Sequence, residues 1–440
     1  MRYLINLKKR LPFLFFLLVY VVGCDVLQAQ NFTSYPTGNP VDTVSNPQGG
    51  ICMMGGAGEH DEAMRWFLRR ANGGDVLVLR TSGSNGYNKY MYSQLGVKVN
   101  SVETIVCNSR DASNDNYIIQ KINQAEAIWF AGGDQWDYVS YWRDTPVSRA
   151  INKALNNRNI VIGGTSAGMA ILGGFYFSAK NGSVSSAEAL SNPYRRSMTV
   201  DSSFFLDIPL LGNVITDTHY DDPDRKGRHA AFMSRIVQDY QRNPFGIACN
   251  AYVAVCVDTD GKAIVYGDYP KYQEFAYFIS PDCSVVNNQP EVCETGKPLT
   301  WYQDGHALKV YKIAGTNNGL NTFDIKKWKG GAGGEWLDWS IENGTFKEQT
   351  GIEPICDPVS ASHELADTKL LVYPNPVHDQ LHIYHQNTWD EIRIFNSNGQ
   401  LLLRDPSGNR QVEVMNLPIG LYWLHMISGN KSKIVKFIRM

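Results

Sequence analysis

A serine set among glycines, Gly163-Gly164-Thr165-Ser166-Ala167-Gly168-Met169, separates two opposed periodicities and narrows the architectures open to this chain. Before it, Asn159-Ile160-Val161-Ile162 is a short, β-branched, continuously apolar run, as expected of a strand buried on both faces. After it, Ala167-Gly168-Met169-Ala170-Ile171-Leu172 is small and apolar, without a turn breaker until Gly173-Gly174, and suits the first turns of a packed helix. Flanking glycines let backbone pass close on both sides. The result is the setting of a nucleophile elbow, in which Ser166 Oγ projects from a strand end and the next N–H faces a developing oxyanion.

Alternation extends this reading to most of the chain. Ile51-Cys52-Met53-Met54 leads into Gly55-Gly56-Ala57-Gly58, and 61–70 carries Ala63, Met64, Phe67 and Leu68 at helical spacing. Strand-like runs at 76–79, 102–107, 127–130 and 160–162 alternate with helical ones at 116–124 and 147–156. That pattern predicts an α/β fold, a parallel sheet in a three-layer α/β/α sandwich. Cys249 to Gly267 and Ala307 to Ile313 are expected to supply further strands that extend or flank the sheet. Gly55 to Gly58 lacks the third glycine and the acidic partner of a dinucleotide fingerprint, so a tight turn is the better account.

The 440 residues hold one large and one small domain, and a formal net charge of −2 gives no argument for nucleic acid or an anionic surface. Lys8-Lys9-Arg10 followed by an apolar run to Val22 is expected to be a signal peptide over 1–29, cleaved after Ala29; a lipoprotein signal ending at Cys24 is the rival. Export permits disulfides, and Cys283 with Cys293 is the most natural pair, whereas Cys52, Cys107, Cys249 and Cys256 are expected as small buried thiols. There is no C-x-x-C, and no metal or cofactor is expected. A polar linker over 351–368 separates a domain over 48–350 from a small all-β sandwich over 369–440, with a hairpin turn at Asn396-Ser397-Asn398-Gly399. Its histidines, His378, His382 and His385, are expected to face solvent.

Two further clusters carry chemistry. Ala131-Gly132-Gly133-Asp134-Gln135 follows a buried strand at the end where open α/β sheets bind ligands. Val214 to Tyr220 ends a strand in His219, the base that a serine hydroxyl needs at neutral pH. His60 and His229 are poorer candidates, one at a helix start and the other among basic residues.

Together, Ala131 to Gln135, Gly163 to Met169, and Asp217-Thr218-His219-Tyr220 with Arg225 and Arg228 resemble the cyanophycinase and aspartyl dipeptidase (peptidase E) family of serine peptidases, over roughly 48–315. The resemblance implies a class I glutamine-amidotransferase-like fold with Ser166 as nucleophile and His219 as base. It implies an oxyanion hole of the Gly133 and Ala167 amides, and substrate contacts by Gln135, Asp217, Arg225 and Arg228. It also implies cleavage of peptide or isopeptide bonds next to aspartyl residues, without a cofactor. The chain departs from the pattern where Asp221-Asp222-Pro223-Asp224 precedes Arg225, and where Gly246 to Ala251 lacks an acidic pair. Glu188 is therefore the candidate third member of the triad. The C-terminal module resembles the type IX secretion sorting domain of Bacteroidetes through Tyr373-Pro374-Asn375-Pro376, Leu417-Pro418-Ile419-Gly420-Leu421-Tyr422 and Lys436-Phe437. The expected partners are a peptide or aspartyl-dipeptide substrate and the type IX machinery; homodimerisation is left open. The expected destination is the cell surface or medium. Rival readings are an esterase-type serine hydrolase and an inactive surface binding protein on the same scaffold.

Overall fold

The computed structural model describes residues 31–202, 205–356, 371–384, 389–408, 410–429 and 431–440. The expected signal peptide, Cys24, His385 and the linker from residue 357 to 368 lie outside them.

Five parallel strands form the centre of the first sheet: β2 (Ile51–Met54), β3 (Asp75–Arg80), β4 (Ser101–Cys107), β5 (Ala127–Phe130) and β6 (Val161–Thr165). Their side chains alternate between two separate cores, which is why the runs are mostly apolar on both faces. Cys52, Met54, Val76, Val78, Trp129 and Val161 face α1 (Asp61–Arg70). Ile51, Met53, Leu77, Leu79, Ile128, Phe130 and Ile162 face the other layer, built from α3 (Asn116–Gln124), α4 (Gln135–Trp142) and α5 (Pro146–Arg158). A short α2 (Gly86–Lys89) lies between β3 and β4 in the chain. The α/β/α layering expected from the sequence is present.

Local signals account for the helix ends. Asp61 and Glu62 open α1 and Arg69 and Arg70 close it, each charge complementing the helix dipole. Asp115 caps α3 by accepting the Tyr117 N–H at 2.8 Å. Pro146 starts α5 within a Thr145–Ser148 capping box, and Asn159 ends it in the left-handed region at φ 52°.

The sheet is wider than its parallel centre. An edge strand β1 (Phe32–Gly38), N-terminal to residue 48, pairs antiparallel with β4. Beyond β2 lie β11 (Ala254–Val257), β12 (Lys262–Tyr266) and β15 (Asn321–Asp324), all antiparallel. A second, six-stranded sheet runs β17 (Thr345–Thr350), β16 (Gly334–Glu342), β14 (Leu308–Ala314), β13 (Phe275–Pro281), β10 (Phe245–Cys249) and β9 (Val214–Asp217). One of its faces joins the first sheet's core through Val214, Ile247, Phe278 and Ile313. The other packs on α8 (Lys226–Tyr240) through Ile215, Ala248 and Ile279. Between β6 and β9 the chain forms α6 (Ala167–Ala170), β7 (Tyr176–Phe177), α7 (Ser186–Ser191) and β8 (Val200–Asp201).

The disulfide differs from the expected one. Cys283 pairs with Cys356, and Cys293 is a buried thiol 3.6 Å from Ser234 Oγ. Cys356 lies within the segment expected to be linker, so that segment is tied to the core up to that residue. Cys52, Cys107, Cys249 and Cys256 are buried thiols, as expected. The C-terminal module has a three-stranded sheet of β18 (Leu371–Tyr373), β19 (Gln380–Tyr384) and β22 (Gln411–Glu413). Its four-stranded partner comprises β20 (Glu391–Asn396), β21 (Leu401–Asp405), β23 (Gly420–Ser428) and β24 (Lys431–Arg439). Leu381, Ile392, Leu424 and Phe437 belong to its own core.

Candidate active site

Three glycines allow the turn after β6. A Cβ on Gly163 would stand 2.6 Å from Cys52 O and 2.7 Å from the Trp129 ring. On Gly168 it would stand 2.1 Å from Phe130 O, and on Gly164 2.5 Å from the Gly168 carbonyl carbon. Strand and helix thus cross at a distance that side chains forbid. Ser166 itself sits at φ 52°, ψ −118°, a backbone conformation that a non-glycine residue holds only when its surroundings impose it. Its N–H donates to Met54 O at 3.0 Å and its carbonyl accepts from Ala170 N–H at 2.9 Å. The helix beyond the serine is only one turn long, shorter than expected, because Gly173 and Gly174 bring the chain against the backbone of Val214 and Gly212.

Ser166 Oγ lies 2.8 Å from His219 Nε2. His219 follows β9 at φ 46°, with its N–H donating to Gly55 O at 2.9 Å. Gly56, at φ 113°, backs onto the imidazole, and a Cβ there would stand 2.3 Å from Nε2. The Gly55-Gly56 turn is thus a wall of the site, a role that glycine spacing alone did not reveal. Burial foremost, then the Arg225 guanidinium, hold the His219 pKa below the ordinary histidine value, with Asp221 and Asp217 acting in the opposite direction. A pKa lowered in this way favours the free-base form of the ring at neutral pH.

The other expected site residues divide into those near this pair and those engaged elsewhere. Ala167 begins α6 directly after the serine. Gly132 stands closest of the glycine pair, since a Cβ on it would lie 3.6 Å from Ser166 Cβ, while one on Gly133 would face the Thr81 and Ser82 hydroxyls at 3.7 and 3.8 Å. Gln135 opens α4, and its Nε2 donates to Phe177 O at 3.2 Å. Arg225 donates to Thr218 O at 2.8 Å, and its buried Nε has no hydrogen-bond partner among the described residues.

Asp217 and Arg228 are not presented to a ligand. Each is 3% exposed, and they form a two-pronged ion pair in which Arg228 Nε donates to Asp217 Oδ2 at 2.8 Å. Burial pushes the Asp217 carboxyl up, but the Arg228 guanidinium outweighs it and holds the group below the usual carboxylate range. Glu188 is not brought to His219. It accepts from the Ser185 N–H and hydroxyl at 3.0 and 2.9 Å, as half of a capping box on α7, and pairs with Arg195 at 2.9 Å. Serine three residues before glutamate is the cap signature, and it explains Glu188 locally.

His229 is fully buried, donating from Nε2 to Ile215 O and accepting from the Tyr220 hydroxyl at Nδ1, both at 3.2 Å. His60 lies 3.7 Å from Asp268. Beside His219 opens a cleft of about 1060 Å³ whose walls include Glu59, His60, Asp221, Asp222, Asp268 and Glu274. Only the Asp221-Asp222 pair of this acidic wall was marked by the sequence pattern. Away from the site, Asp282, His306 and Asp338 converge, but the Lys309 ammonium already lies 2.6 Å from Asp338 and 3.4 Å from Asp282.

Residues 85–258 match the model of peptidase family S51, and residues 371–440 match that of the secretion system C-terminal sorting domain. A cyanophycinase of Geminocystis herdmanii is 24% identical over 194 residues, 42% of this chain and 66% of that protein. A cyanophycinase of Trichormus variabilis is 24% identical over 260 residues, 57% of this chain and 79% of that protein. Among solved structures, a peptidase from an acI-B1 Actinobacterium aligns with TM-score 0.37 and 15% identity, over 51% of this chain and 89% of the other. A putative peptidase E protein from Listeria monocytogenes aligns with TM-score 0.33 and 14% identity, over 49% and 97%.

Proposed function

We propose that this chain, a serine-type peptidase of the S51 kind bearing a secretion C-terminal sorting domain, is an exported hydrolase of peptide or isopeptide bonds next to aspartyl residues. The observation that carries the reading is the 2.8 Å contact between Ser166 Oγ, on an elbow at positive φ, and His219 Nε2. In this reaction Ser166 Oγ attacks the scissile carbonyl as its proton passes to His219 Nε2, and the imidazolium then protonates the leaving amine. The amides of Gly133 and Ala167 receive the oxyanion. Gln135 positions the substrate, and the Arg225 guanidinium is the donor for its carboxylate. Asp217 and Arg228, locked to each other, hold the β9 exit against α8 instead of touching substrate.

The acidic wall beside His219 favours aspartyl bonds whose partner residue is basic and disfavours those with an acidic one. Export follows removal of residues 1–29 after Ala29 and recognition of the C-terminal module by a type IX apparatus. The test is a panel of α- and β-aspartyl dipeptides carrying Arg, Leu or Glu as the second residue. Turnover of aspartyl-arginine at least about 10-fold above aspartyl-glutamate is expected, the scale of one favourable charge contact. Ester turnover without amide turnover would instead favour an esterase. Failure of Ser166 to react with a fluorophosphonate probe would favour an inactive binding protein.

A further inference from the structure

The proposed pair of Ser166 and His219 needs a group that stabilises the imidazolium formed when the serine proton arrives. The carboxylates around it are mostly engaged. Asp217 is held by Arg228 and by the Thr218 N–H. Glu188 belongs to its own cap and to Arg195. Glu59 accepts from the Tyr87 hydroxyl. Asp268 lies against His60 and Asn317, and Glu274 accepts from the Asp268 N–H.

Asp221 differs from these. It stands two residues after His219 and lines the same cleft. The exits of β9 and β10 are tied together there, by Tyr220 N–H donating to Cys249 O at 3.2 Å and by Ala251 N–H donating to Asp221 Oδ1 at 3.0 Å. The turn is closed by a bridge between Asp221 and Asp224. Among the described residues no hydrogen bond or ion pair engages the second oxygen, Oδ2. A carboxylate anchored by one oxygen and free at the other, on the loop that carries the base, has both the charge and the rigidity that orientation requires.

We propose that Asp221 is the positioning residue of His219, its carboxylate facing the charge that develops on the ring and taking the place offered by the sequence to Glu188. The inference rests on the Ser166–His219 reading. As Oγ bonds to the carbonyl carbon, the hydroxyl proton moves to Nε2 and the ring becomes cationic; Asp221 exchanges no proton. The charges around the ring are mixed. Arg225 and Arg228 disfavour the imidazolium, Asp217 and Asp221 favour it, and Glu59, His60, Asp222, Asp268 and Glu274 line the same cleft.

Labelling of the full chain by a fluorophosphonate probe, followed from pH 4 to 9, tests this without knowledge of the substrate. Asp221→Asn keeps an oxygen for the Ala251 N–H but removes the charge. It should lower the labelling rate by about 10-fold and move the acid-limb midpoint to lower pH, because the lost negative charge had favoured the protonated ring. Asp221→Glu should restore the midpoint. Asp224→Asn, on the same loop, should change neither quantity. A role limited to tying the loop predicts an unshifted midpoint and a rate within about twofold of the parent for Asp221→Asn, and that result would overturn the proposal. Labelling that persists in Ser166→Ala would reject the underlying nucleophile assignment instead, so the two failures are distinct.

Discussion

Ser166 holds a positive φ where the serine side chain is itself a source of strain, and the surrounding glycines show how much of the fold is committed to that one residue. Ser166→Gly should therefore be more stable than the parent by about 1 kcal/mol, whereas Ser166→Ala retains the strain and should melt near the parent. Calorimetry of the two variants decides this. Both should lose on the order of 10⁴-fold in peptidase rate, as should His219→Ala, and the Ser166→Ala/His219→Ala double variant should be scarcely worse, because nucleophile and base act as one unit. Multiplicative losses would separate the two residues. The parent's acid limb in kcat/KM should fall below the ordinary histidine value of about 6.5, since burial and Arg225 disfavour the protonated ring. The positions of Ser166 and His219, which the fold brings within 2.8 Å, were legible in the sequence because each stands at the end of an apolar run. The fates of Asp217, Arg228 and Glu188 were not, because a charged residue in a motif carries no mark of whether its partner is a ligand or another side chain.

At the level of elements, α1 and α3 were legible residue for residue, since both carry apolar spacing and charged or capping ends. β1 was not, because Ser34 and Pro36 break the apolar alternation and an edge strand buries only part of its surface. α8 illustrates a further limit. Its basic start suggests a solvated face, yet His229 lies under β9 and β10, where Gly246 leaves room for the ring. Burial pushes the His229 pKa down to about 4. The folded protein therefore keeps this ring neutral while the unfolded chain protonates it near 6.5, so stability is lost as pH falls from about 6.5 towards 4, and no further below. The shift corresponds to roughly 3 kcal/mol. Urea unfolding at pH 7 and pH 4.5 should show a loss in the parent that is smaller, by roughly 2–3 kcal/mol, in His229→Asn; equal losses would exclude His229 as the source.

For the whole molecule, the Cys283–Cys356 bridge ties the chain back to the core as far as residue 356. A chain ending at Asp367 keeps the bridge and should match the full-length protein in specific activity and melting temperature. One ending at Thr350 loses it, and by closure of a loop 73 residues long should lose about 4 kcal/mol. Thermal melts under oxidising conditions, with the reduced Asp367 form as a reference, check both statements. What the sequence by itself determined are the features written in local patterns: apolar runs with two periods, glycines where the backbone must cross, caps, and the motif strings of the peptidase and sorting domains. Tertiary structure alone decided the cysteine pairing, the division of later strands between two sheets, the mutual lock of Asp217 and Arg228, and the acidic cleft beside His219. Each depends on which distant segments meet, and pairing across space leaves no periodic trace along the chain.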